Sequence, residues 1–362
     1  MRRRSRSWSG CRGSTVKQTA LVGLGAAAGI MMTWLTRALA LRAGIVNAPN
    51  PIVPQHTRPV AYLGGVAVAL ATGLPVPLLV VVGSGSIGEL LAAPLGVLVG
   101  SIAFLGIGLV DDLQPLDPLP KLGLQALASC LAASLRVRPG VCELQVLDSL
   151  IGAAWILVLV NAVNLTDVCD GLVTGLAAIA LLLLAQVGPQ PTPIVWLGCG
   201  ACLGFLVFNR PRASIFLGDA GTHFLGFLLA ALTLDLVARG SRPGASFSAL
   251  MIVSVFLFEL VFLVVVRVRK GLPWWKGSPD HFSLRLQARG LSRLQTDVVA
   301  WMAALVQGAV GLFAGATLAE SGMLAAAVTD LMALVGLGLV LARWEVPVHS
   351  RSPDGAVSGA HG

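Results

Sequence analysis

The chain is 362 residues long, 56% hydrophobic and 12% charged, with 25 Lys and Arg against 17 Asp and Glu and a formal net charge of +8. Its mean hydropathy is +0.84. That composition excludes an ordinary soluble domain and reads as a polytopic membrane protein, with no nucleic-acid partner expected.

A helix needs about 20 mainly apolar residues to cross the hydrocarbon core. After a basic head at 1–17, apolar runs fall at about 18–41, 60–82, 90–110, 122–137, 149–163, 171–187, 193–208, 221–238, 247–267, 297–319 and 323–342, followed by a polar tail at 344–362. The fourth and fifth runs are short. A membrane barrel would need alternating segments of about ten residues, and "LAAIALLLLAQV" does not alternate. The expected fold is therefore all-α, a polytopic integral membrane bundle of about 10–11 transmembrane helices over residues 18–343. The runs are rich in Leu, Ala and Gly, which suits close helix packing. Six cysteines sit mostly inside apolar runs. Cys199 and Cys202 read as small packing residues, and no disulfide framework is implied.

If each run crosses once, the odd-numbered connectors share one face. They hold eleven Lys and Arg residues (Arg58, Lys121, Arg210, Arg212, Arg267, Arg269, Lys270, Lys276, Arg285, Arg289, Arg293) against four in the even ones. Cytoplasmic loops carry the excess of Lys and Arg, so this polar face and the C-terminal tail are expected in the cytoplasm. The same count puts the N-terminus outside, against the charge of the basic head.

The odd connectors also carry the chemistry. "PNPIVPQHTRPVAYLGG" holds His56 and Arg58, and "VDDLQPLDPLPK" places Asp111 and Asp112 at a helix end with Lys121 following. Adjacent helix positions point in different directions, so these two carboxylates should serve different partners. In "NAVNLTDVCDGL", Asn164, Asp167 and Asp170 are spaced by three, the spacing of neighbours on one helical face. "FLGDAGT" puts Asp219 in a Gly-flanked turn opening a helix, where anions are favoured. "GSPDHFSLRL" supplies His281 among many cations. Hard carboxylate oxygens suit Mg²⁺, while Lys, Arg and helix N-termini suit phosphates. Each part alone has a plainer reading, as a helix cap, a solvated loop or a topology signal; their coincidence on one face points to a site.

In order and spacing these motifs resemble the polyprenyl-phosphate N-acetylhexosamine-1-phosphate transferases (glycosyltransferase family 4), from about Asn47 to Ser292. The resemblance implies transfer of a sugar 1-phosphate, GlcNAc-1-phosphate by the nearer branch, from a UDP-sugar to undecaprenyl or another polyprenyl phosphate. UMP would be released, as the first membrane step of cell-envelope glycan synthesis. It implies Mg²⁺, with Mn²⁺ as a substitute, at Asp219. Asn164, Asp167 and Asp170 would surround the metal and the nucleotide-sugar, and Phe216 would lie near the uracil. Asp111 and Asp112 would stand beside the lipid phosphate, with Lys121 pairing it. Asp111, Asp112, Asp167 and Asp170 are thus the catalytic candidates; His56, Arg58, Lys121, Asn164, Phe216 and His281 are the substrate-binding ones. The expected setting is a multi-pass inner-membrane protein, compatible with a homodimer, whose active site is cytoplasmic. Glu259, an acid within an apolar run, is a functional candidate by default.

Departures from the family pattern are visible too. Val168 replaces the usual Gly, Asn47 stands where Asp is common, and His281 is alone where relatives have several histidines. The alternatives are a phospho-MurNAc-pentapeptide transferase and, from another class, a transporter of lipid-linked or polar solutes with polar residues along a pathway. The acids here cluster at helix ends on one face and not at the midplane.

Overall fold

The computed structural model describes residues 8–47, 59–81, 95–187, 192–240, 244–344 and 346. His56 and Arg58 lie outside the described residues. The chain begins with α1 (Trp8–Ala43), β1 (Val46–Asn47), β2 (Val60–Tyr62), α2 (Gly64–Gly73) and α3 (Pro75–Val81). α4 (Leu95–Leu113), α5 (Pro118–Ser134), α6 (Gln145–Thr166), α7 (Leu172–Val187), α8 (Pro193–Asn209), β3 (Ile215–Phe216) and α9 (Gly218–Ala238) follow. α10 (Ala245–Ile252), α11 (Ser254–Arg269), α12 (Phe282–Ala288), α13 (Arg293–Thr317) and α14 (Glu320–Ala342) complete the fold.

Each of the eleven apolar runs is represented by helix, so the all-α membrane class holds. The number of full-length spans is smaller. Among the described residues six helices are long and apolar enough to cross alone, and seven if α10 and α11, bent by 59°, count as one. α5, α7 and α8 run only 17, 16 and 17 residues. The run expected at 60–82 is divided, because β2 takes its first residues and its helix breaks at Leu74, ahead of Pro75 and Pro77. Proline lacks the N–H that would continue the ladder.

A three-stranded sheet of order β1-β2-β3 was not expected from the sequence. β2 runs antiparallel to β1, pairing Ala61 with Val46, and parallel to β3, pairing Tyr62 with Phe216. Strands of two or three residues are too short to leave a readable alternation.

α9 is the buried centre of the bundle, packed on α4, α6 and α2, while α14 stands almost wholly exposed. Close approach to α9 depends on two glycines. A Cβ at Gly108 of α4 would lie 2.3 Å from the Asp219 carbonyl oxygen, and one at Gly65 of α2 would lie 2.0 Å from the Gly221 nitrogen. The N-termini of α5, α7, α9 and α13 and the C-termini of α4, α6 and α8 meet at one end of the bundle, tied by Lys121–Asp111, Asn164–Asp219, Gly171–Asn209 and Arg293–Asp170 contacts. The third, fifth, seventh and ninth connectors therefore meet at that end.

Gly106, on the same helix as Gly108, has nothing within 4 Å of its Cβ position. Gly108→Ala should destabilise the detergent-solubilised protein by about 1–3 kcal/mol through overpacking. Gly106→Ala should be neutral or stabilising by up to about 1 kcal/mol, through helix propensity. Thermal unfolding of the two variants checks the contrast.

Candidate active site

The site starts from the end of α4. Asp111 and Asp112 are neighbours in sequence and do face different partners. Asp111 accepts the Leu116 backbone N–H at 2.7 Å through Oδ1 and the Lys121 ammonium at 2.8 Å through Oδ2. Asp112 turns toward α9, where its Oδ1 accepts the Asp219 N–H at 2.7 Å and its Oδ2 the Ala220 N–H at 3.0 Å. The first N–H groups of a helix have no partner inside it, so Asp112 caps α9 from another helix. The anion-favouring amides expected at this N-terminus are thus already engaged by a carboxylate of the chain itself.

Pro118 opens α5 and Lys121 follows one turn on. Its ammonium contacts Asp111 and Asp219 together. Asn164, in the last turn of α6, donates through Nδ2 to Asp219 Oδ1 at 2.9 Å and to Thr222 Oγ1 at 3.0 Å. Asp111, Lys121, Asn164 and Asp219 thus form one hydrogen-bonded cluster. The side chains of Asp111, Lys121 and Asp219 keep 13%, 16% and 23% of their surface exposed, enough for a ligand to reach them.

The helical face expected for Asn164, Asp167 and Asp170 does not form. α6 ends at Thr166, and Asp167 occupies its C-cap at φ −81°, ψ 65°. Gly171, at φ +82°, takes a conformation that glycine adopts readily, and the turn leads straight into α7. Asp167 stays beside the cluster. Burial pushes its carboxyl well above the ordinary range, and the charges of Asp219, Asp112 and Asp170 push it further. Asp170 instead holds the neighbouring loops, accepting the Arg212 and Ala213 N–H groups at 3.0 and 3.2 Å and pairing with Arg293 at 3.3 Å.

Phe216 lies on β3 and meets the Tyr62 ring edge-on, with centroids 6.4 Å apart. Burial and then the charges of Asp112, Asp219 and Asp167 raise the Tyr62 hydroxyl, so it remains a donor beside the acids. His281 is buried away from this cluster in its bonding: its Nδ1 is 2.8 Å from Glu259 Oε1 of α11, and Glu259 Oε2 accepts the Phe282 N–H at 3.3 Å. Several cations of this connector are structural. Arg285 donates to Asp280 at 2.6 Å and to the Leu341 carbonyl at 3.0 Å, and Arg267 to Ser278 at 3.1 Å. Burial works to raise the Asp280 carboxyl; the Lys270 ammonium at 2.7 Å and the Arg285 charge more than reverse this and hold it below the usual carboxylate range.

Sequence reading missed Tyr62, Asn209 and Thr222. Asn209 Oδ1 accepts the Gly171 N–H at 3.1 Å and the Thr174 hydroxyl at 3.0 Å, while its Nδ2 donates to the Ile215 carbonyl at 3.0 Å, locking the Asp167–Gly171 turn to β3. An Asn at a helix end beside Arg-Pro-Arg was the available signal.

Among the described residues no three His, Cys, Asp or Glu side chains converge as a ready-made metal cage. Mg²⁺ is commonly held by only one or two carboxylates together with waters and substrate phosphates. The donor set suits it: hard oxygens on Asp219 and Asp167, with Asp111 and Asp112 adjoining, offset by the Lys121 ammonium.

Fold and site together define a polytopic membrane protein with an acidic, lysine-bridged centre at one end of its helices. The family model for glycosyl transferase family 4 matches residues 94–237, the segment that carries Asp111, Asp112, Lys121, Asn164, Asp167, Asp170 and Asp219. The decaprenyl-phosphate N-acetylglucosaminephosphotransferase of Mycobacterium tuberculosis is 31% identical over 327 residues, covering 80% of this chain and 81% of its own. A probable undecaprenyl-phosphate N-acetylglucosaminyl 1-phosphate transferase of Bacillus subtilis is 24% identical over 293 residues, covering 75% and 78%. The phospho-N-acetylmuramoyl-pentapeptide-transferase of Limosilactobacillus fermentum is 39% identical over 166 residues, covering 43% and 49%. The chain belongs to glycosyl transferase family 4.

The raised carboxyl of Asp167 sets a stability prediction. A carboxyl whose folded pKa exceeds its unfolded value costs stability once the pH rises above the unfolded value, and costs nothing below it. In EDTA, Asp167→Asn should therefore unfold at a higher temperature than wild type at pH 8, by about 2 °C. That advantage should vanish by about pH 3.5, below the ordinary Asp value. A pH series of melting curves checks it.

Proposed function

We propose that the protein transfers N-acetylglucosamine 1-phosphate from its UDP conjugate to a polyprenyl phosphate, releasing UMP. The carrying observation is the Asp111–Lys121–Asp219–Asn164 cluster at a solvent-reachable helix end. The relatives' names support the substrate class: the decaprenyl- and undecaprenyl-phosphate N-acetylglucosamine transferases are matched over 80% and 75% of this chain, whereas two pentapeptide transferases are matched over 43% and 57% of it.

A phosphate oxygen of the lipid attacks the sugar-linked phosphorus, a new P–O bond forms, and the bond to the bridging oxygen breaks, so UMP leaves with that oxygen. A phosphomonoester has its second pKa near about 6, so the nucleophile is already ionised and needs little base. Asp219 and Asp167 would hold Mg²⁺, which when bound supplies neutralisation of the diphosphate charge. Lys121 offers an ammonium to an incoming phosphate in exchange for its carboxylate partners, and Asn164 keeps Asp219 aimed. Direct attack is supported over an aspartyl-phosphate route through Asp112, because both of its oxygens are engaged by the first turn of α9. His281, oriented by Glu259, is the part we assign to the sugar side.

Purified protein with undecaprenyl phosphate, UDP-GlcNAc and Mg²⁺ should release UMP. Asp219→Asn should lower that rate by about two or more orders of magnitude with little loss of folded protein. Full activity in EDTA without added Mg²⁺ would remove the metal from the account.

The site is assigned to the cytoplasmic face of the plasma membrane, on the distribution of Lys and Arg. A reporter fused after Arg343 should read cytoplasmic, and one inserted at Gly140, in the α5–α6 connector at the opposite end, should read external.

A further inference from the structure

One helical turn beneath the cluster lies a second set of polar side chains on the same three helices. Gln125 follows Lys121 by four residues on α5, Asn161 precedes Asn164 by three on α6, and His223 follows Asp219 by four on α9. Gln125 and His223 are fully buried, at 0% exposure. Nothing in the proposed reaction uses them.

Their hydrogen bonds can be oriented without ambiguity from a backbone anchor. The Leu157 carbonyl oxygen can only accept, so the Asn161 atom 2.8 Å from it is the amide nitrogen. That nitrogen also lies 2.8 Å from Gln125, whose facing atom must then be Oε1. Gln125 Nε2 consequently points at His223 Nε2, 2.7 Å away. An amide nitrogen only donates, so His223 Nε2 must be the bare, accepting nitrogen and the proton must sit on Nδ1. Nδ1 is buried with no protein partner among the described residues, so no competing bond sets the tautomer from the other side.

We propose that Asn161, Gln125 and His223 form a positioning layer that fixes the register of α5, α6 and α9, and that His223 acts in it as a neutral imidazole protonated on Nδ1. A layer of this kind holds Lys121, Asn164 and Asp219 at their contact distances before substrate arrives, the preorganisation on which electrostatic catalysis depends. It also keeps positive charge out of the layer. The charged groups that His223 senses are Lys121 and Asp111, and a cation under Lys121 would compete with it for the carboxylates.

The test has two arms, of which only the kinetic one rests on the transferase reading. In the first, nitrogen NMR of wild-type protein labelled in histidine, with the His223 signal assigned by its loss in His223→Phe, reports the tautomer. The Nδ1–H form at pH 7.5 is the expected result. An Nε2–H tautomer or an imidazolium overturns the proposal. In the second arm, UMP release is compared for two variants at matched folded protein. His223→Gln offers an acceptor where Nε2 stood and should recover kcat to within about threefold, whereas His223→Phe keeps ring volume without an acceptor and should lose kcat about tenfold or more with KM for UDP-GlcNAc nearly unchanged. A residue that merely fills space would rank Phe at or above Gln, and that order overturns the proposal. If one variant fails to fold, loss of the signal in the other still assigns His223, and the tautomer of the wild type decides. Absence of UMP release by the wild type would sink the transferase reading and leave the tautomer result standing.

Discussion

Two backbone N–H groups at the start of α9 have no partner within their own helix, and the Asp112 carboxylate of α4 takes both. The rest of the site depends on this cap. It fixes where Asp219 begins, and Asp219 is the residue on which Lys121 of α5 and Asn164 of α6 converge. The contact is closer than ordinary side chains would permit. Gly108 lies on α4 one turn before Asp112, against the Asp219 carbonyl, and a Cβ at Gly218 would come within 2.6 Å of Asp112 Oδ2. Glycines at these positions are what bring a carboxylate to within hydrogen-bonding distance of a neighbouring helix's first turn.

The cost of this arrangement is electrostatic. Asp111, Asp112, Asp167 and Asp219 crowd one helix end with the Lys121 ammonium among them, and the burial and repulsion felt by Asp167 measure the excess of negative charge. Within an apolar bundle such an excess is tolerable when a cationic ligand completes it. That excess is the feature on which the proposed binding of a divalent ion with a diphosphate rests. Outside the cluster, Asp170 secures the Arg212 turn, and Asp280, Lys270 and Arg285 brace the connector that carries His281.

Much of this was legible in the sequence, for identifiable reasons. Apolar runs reveal membrane helices because lipid penalises every unpaired backbone group, and the divergence of Asp111 from Asp112 follows from the 100° step between helix neighbours. What spacing cannot show is where a helix stops. The three-residue spacing of Asn164, Asp167 and Asp170 implied one face, yet α6 ends at Thr166, and Asp170 binds the Arg212 and Ala213 amides and Arg293. The short sheet beside Phe216 left no pattern to read. The role of Asp112 as a cap for a helix 107 residues away was likewise hidden, since only tertiary structure brings those amides to it.

The central claim is that Asp112 builds the site by holding the first turn of α9. Hydrogen–deuterium exchange over residues 217–222 tests it most directly, in wild type and in Asp112→Ala. The account predicts slow exchange of the Asp219 and Ala220 amides in wild type and selective acceleration by about 100-fold in the variant, with exchange elsewhere in α9 nearly unchanged. Equal protection of those two amides in both proteins would contradict it.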